Sequence, residues 1–140
     1  MEISLQDRSN YFKTLLILIG KDRKIQDSER ILFRKLANIL DFSHEFCEDV
    51  MNELLENEYI IEEPYKFENI EIAKTLIKDG IKIAFSDKEL HSFEMDWLKI
   101  VAEKNQISEE WCLTQYDNFR TLKNIQSPYQ FEIGKYLGVS

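Results

Sequence analysis

The 140-residue chain predicts an all-α domain made of two repeated halves. Three observations carry that reading. Apolar residues recur at helical spacing along almost the whole chain. Gly and Pro number only 4 and 2, too few for a turn-rich β sandwich. One motif also occurs twice. Asp22-Arg23-Lys24-Ile25-Gln26-Asp27-Ser28-Glu29 returns 65 residues later as Asp87-Lys88-Glu89-Leu90-His91-Ser92-Phe93-Glu94. The same offset sets Leu36-Ala37 on Val101-Ala102, and Phe42 to Cys47 on Ile107 to Cys112. A fixed offset held over this length marks an internal repeat. The expected organisation is one domain over 1–140, with halves at about 7–56 and 70–123 and a C-terminal helical appendage at 127–137.

The elements follow in order. A first helix is expected from about Asp7 to Lys21, with Phe12, Leu15, Leu16 and Ile19 inward. After the first motif, a second helix carries Ile31, Leu32, Leu36, Ile39 and Leu40. Ser43 fits the N-cap of a third, because its hydroxyl can accept an open N–H of the first turn. Phe46, Val50, Met51 and Leu54 form that helix's apolar stripe. In the connector from Asn57 to Asn69, Tyr59-Ile60-Ile61 suits a short strand. Pro64 ends what precedes it or opens a helical turn. The next helix holds Ile72, Ala73, Leu76, Ile77 and Ile83. Gly80 lies inside it, at a cost of about 1 kcal/mol relative to Ala, and marks a place for a kink. After the second motif, Phe93, Trp97, Leu98 and Val101 mark a fifth helix. Ser108 caps a sixth, with Trp111, Cys112, Tyr116 and Phe119 inward. Ser127-Pro128, a cap followed by proline at the first helical position, opens a last short helix. Tyr129, Ile133, Tyr136 and Leu137 are its contact face.

Composition narrows the function. Lys and Arg number 18 against 26 Asp and Glu, a net charge of −8. That balance disfavours nucleic acid, which needs a basic face to replace phosphate counterions. It disfavours anionic membrane surfaces for the same reason. Cations and basic protein partners remain. The longest pure apolar run, Leu15 to Ile19, is far short of the ~20 residues of a membrane span. The first residues carry no secretory signal pattern, so a soluble cytoplasmic domain with reduced thiols is expected.

The repeated motif has two readings. On a helix–loop–helix, Asp22 and Asp87 fall at or just past one helix end. Ile25 and Leu90 plug the loop into the core. Gln26 and His91 take the N-cap of the next helix. Glu29 and Glu94, three residues on, can reach back to the cap's own N–H, as in a capping box. Asp22 and Asp87 can also accept loop N–H groups. Capping and turn chemistry therefore account for every residue of the motif. The other reading starts from the two aspartates. An Asp at a helix C-terminus faces the negative end of the dipole, a penalty of ~0.3–1 kcal/mol. If a pseudo-twofold axis brings the loops together, Asp22, Glu29, Asp87 and Glu94 converge and repel unless a cation intervenes. Hard oxygen ligands suit Ca²⁺ or Mg²⁺. Lys21, Arg23, Lys24 and Lys88 offer a neutralisation without metal.

With the repeat in register, the chain resembles the tellurite-resistance TerB family. That family carries D-G-x-(I/V)-x-x-x-E once per half on an all-α fold. The matching residues are Asp22, Ile25 and Glu29, then Asp87, Leu90 and Glu94, and the likeness spans about residues 11–119. The resemblance implies a compact bundle of about seven helices with pseudo-twofold-related halves. It implies an accessory, non-enzymatic role in tellurite, phage and stress resistance. Its suspected acidic surface, for a divalent cation or a protein partner, carries over to Asp22, Glu29, Asp87 and Glu94. The family's glycine is Arg23 in one copy and Lys88 in the other. Glycine allows close backbone approach to a ligand. Two cations in its place shift weight toward a protein partner or a purely structural motif.

Other residues carry less. Asp79-Gly80 looks like the start of an EF-hand loop, but Ala84 and Leu90 stand where that loop needs Gly and a bidentate Glu. Cys47 and Cys112 share one repeat position and read as small buried hydrophobes. His91 could join a zinc site, yet its counterpart is Gln26, a poor ligand. Trp97 and Trp111 read as core anchors. The tail aromatics Tyr129, Phe131 and Tyr136 suit docking on the domain's own surface, or on a second copy or partner. No phosphate loop, GxSxG elbow or HExxH motif occurs. An enzyme is not expected, and a carboxylate-based one is the remote alternative.

Overall fold

The computed structural model describes residues 3–20, 27–56, 64–85, 92–122 and 132–135. Six α-helices and one 3-10 turn appear among them. They are α1 (Leu5–Gly20), α2 (Asp27–Ile39), α3 (His44–Glu56), α4 (Ile70–Phe85), α5 (Ser92–Lys104), α6 (Glu109–Leu122) and η1 (Glu132–Lys135). The described residues contain no strand, so the expected all-α class holds. No helix among them is long and apolar enough to cross a membrane.

The repeat is visible in the backbone. Moving α1, α2 and α3 by 65 residues lands on α4 and α5 at both ends, and on α6 to within one residue. The α2–α3 and α5–α6 corners match bond for bond. Phe42 N–H donates to the Ala37 carbonyl at 2.8 Å, and Ile107 N–H to the Ala102 carbonyl at 2.8 Å. Asp41 N–H reaches the Asn38 carbonyl and Gln106 N–H the Glu103 carbonyl, each at 3.1 Å. These paired bonds are the Schellman closure of a helix, which needs a left-handed residue. Asp41 supplies it at φ 64° and Gln106 at φ 60°. Ser43 and Ser108 then cap the next helices as expected. Their hydroxyls accept the N–H of Phe46 and of Trp111, each at 3.1 Å.

Packing follows the same plan. Within each half, the first helix rests on the second and third, and the second rests on the third. The halves meet along α1 and α4. One contact between halves is unequal. α1 also packs on α5, while α2 has no comparable packing on α4. Buried residues from all six helices and η1 form one apolar cluster, including Phe12, Leu15, Phe33, Leu36, Met51, Leu76, Ile77, Trp97, Val101, Cys112 and Ile133. Phe12 meets Phe33 edge-on at 5.8 Å, and Phe42 stacks on Phe46 at 4.5 Å.

Several expectations need adjusting. Ile31, one of the apolar residues that mark the second helix, is 61 % exposed. The buried stripe of α2 is Leu32, Phe33, Leu36, Ala37 and Leu40. Ile31 lies about 140° around the helix from Leu36, on the far side. α1 starts earlier than expected, because Ser4 caps it by accepting the Asp7 N–H at 3.1 Å. Trp111 is half-buried rather than a core anchor, and the Lys74 ammonium lies 5.6 Å from its ring centroid. α4 runs through Gly80 as one helix. Pro64 opens the irregular stretch 64–69 rather than a helical turn. Of the expected C-terminal helix, the described part is the 3-10 turn. Ser127, Pro128, Tyr129, Phe131, Tyr136 and Leu137 lie outside the described residues, as do Tyr59, Ile60 and Ile61. The inward assignments of Ile19, Leu54 and Phe93 fall on side chains outside those described.

Candidate functional site

The two acidic motifs straddle the α1–α2 and α4–α5 loops. Asp22, Ile25 and Gln26, and Asp87, Leu90 and His91, lie outside the described residues, with the cations Arg23 and Lys88. What the structure places is the helical end of each motif. α2 starts at Asp27 and α5 at Ser92, so Glu29 and Glu94 each stand third in their helices. That is the capping-box position, three residues after Gln26 and His91. It also sets each carboxylate where the helix dipole favours negative charge. The Glu29 side chain is not among those described. Glu94 is only 8 % exposed, an unusual degree of burial for a glutamate. No cluster of three or more His, Cys, Asp or Glu side chains suited to a metal forms among the described residues.

Cys47 and Cys112 are both buried and both free thiols. Burial pushes the Cys47 thiol up to about 11, with Glu48 adding to the rise and Arg34 opposing it. Burial also raises Cys112, helped by Glu109 and opposed by Lys99. Thiols held protonated are poor nucleophiles and poor metal ligands.

The second helix of each half is tied to the third by charge. Arg34 Nε donates to Glu48 Oε1 at 2.7 Å, and its repeat counterpart Lys99 pairs with Glu109 at 3.3 Å. The Arg34 hydrogen bond holds the Glu48 carboxyl below its usual range. Arg30 and His44 also stand within ion-pair distance of Glu48.

Three buried polar residues were not singled out as structural anchors by sequence reasoning. Each holds a segment that lies outside the six matched helices. Asp7 is 2 % exposed, and its Oδ1 accepts the Glu68 N–H at 3.0 Å. Asn105 is 6 % exposed. Its Oδ1 accepts the Phe67 N–H at 2.7 Å, and its Nδ2 donates to the Tyr65 and Val101 carbonyls at 2.9 Å each. Together Asp7 and Asn105 pin the stretch 64–69 that joins the halves. Asp79 is fully buried inside α4, and its Oδ2 accepts the Tyr11 hydroxyl and the Ile133 N–H. The sequence signal available was the repeat itself: at these positions the other half carries Ile72, Leu40 and Thr14.

Beside Asp7, the starts of α1 and α4 frame an open cleft of about 510 Å³, lined by Ser4, Asp7, Arg8, Glu68 and Asn69 among others. The Arg8 Nε there is buried without a hydrogen-bond partner. Two carboxylates, Asp7 and Glu68, accompany that one guanidinium, so the charged lining is net negative.

Compared with known proteins, the chain matches no family model, no curated protein and no solved structure.

Proposed function

We propose that the chain is a non-enzymatic accessory domain of the TerB-like kind, acting in the cytoplasm by binding rather than catalysis. Its binding surface is the duplicated acidic motif, Asp22, Glu29, Asp87 and Glu94. Its ligand is a divalent cation, Ca²⁺ or Mg²⁺, or the basic face of a protein partner in a tellurite, phage or stress resistance system. At a net charge of −8, nucleic acid is not among its partners.

One observation supports this best. The helices that follow the motifs start in the same repeat register, so Glu29 and Glu94 occupy equivalent places in equivalent helices. An approximate twofold between the halves would bring both loops to one face. Carboxylates gathered there lower their mutual repulsion by taking up a cation. Thermal melts of the full chain with Ca²⁺, Mg²⁺, Mn²⁺ and Zn²⁺ test the metal branch. A bound ion at a hundred times its dissociation constant adds about 2.7 kcal/mol. The Asp22→Asn, Asp87→Asn double variant then loses that gain. Melts unmoved by every cation end the metal branch.

The burial of Glu94 favours a second reading. A carboxylate 8 % exposed on the first turn of α5 suits a structural partner of its own helix. The motif is then scaffolding for an acidic protein-interaction module. Under that reading Glu94→Ala lowers the melting temperature and no cation raises it.

A further inference from the structure

We draw no further inference here: the strongest candidate, the open cleft between the starts of α1 and α4, carries nothing, because its one guanidinium, Arg8, has its unpartnered Nε shut off from solvent as well, Asp7 is already engaged by the Glu68 N–H, and two helix starts with charges of both signs name no ligand.

Discussion

Asp41 and Gln106 pay the same steric cost for the same reason, since each closes a helix in the left-handed conformation. Aspartate tolerates that region better than glutamine, because its short polar side chain bonds locally. Gln106→Gly should therefore stabilise the domain, by about 0.5–1 kcal/mol in urea unfolding, and Asp41→Gly by less. A loss of stability in Gln106→Gly would show that the corner is not held as described. At this scale the sequence was partly legible. The serine caps and the two buried cysteines followed from local chemistry and repeat position. Asp7, Asp79 and Asn105 did not, because a polar residue in an amphipathic pattern reads as solvent face. α4 defeats that logic. From Asp79 to Ala84 every residue is buried, so its apparent polar face does not meet water.

The helices themselves were the most legible element. Their apolar spacing survives one-residue errors at the ends, and the repeat supplied each boundary twice. Ile31 faces outward because a run of Ile31-Leu32-Phe33 offers more apolar residues than one stripe can bury. The last element was expected as a helix, and its described part is a single 3-10 turn fixed by Asp79 from 54 residues away. Local signals cannot report such a contact. Gly80 belongs to this scale too. A methyl added there would lie 2.6 Å from Leu98 Cδ2 and 3.6 Å from Leu18 Cδ2. The glycine thus lets α4 and α5 approach closely. Leu98 ends in a flexible isobutyl group and can shift. Gly80→Ala should then stay within about 1 kcal/mol of wild type, as gained helix propensity offsets the contact. Gly80→Val should destabilise by about 1–3 kcal/mol through overpacking. Wild-type stability in Gly80→Val, measured by the same unfolding, would contradict the close approach.

Over the whole molecule, repeat and exception divide the work. The repeated residues build two similar three-helix units on the α1–α4 pair. The exceptions, Asp7, Asn105 and Asp79, attach what lies outside the six helices: the connector 64–69 and the C-terminal turn. The acidic motif belongs to the repeated part, and the proposed function rests on it. Its loops were legible as a pattern. Their spatial relation was not, because spacing along a chain does not fix the distance between two loops. An amide NMR titration of the full chain is the most direct test, with Ca²⁺ and Mg²⁺ in one series and oligolysine as a basic partner in another. The account predicts that one ligand moves the amides of Asp27 to Arg30 and of Ser92 to Met95 together, with a single dissociation constant. It also predicts that Asp22→Asn plus Asp87→Asn removes the movement. Spectra unmoved at both helix starts in both series, or movement at one start alone, would contradict it.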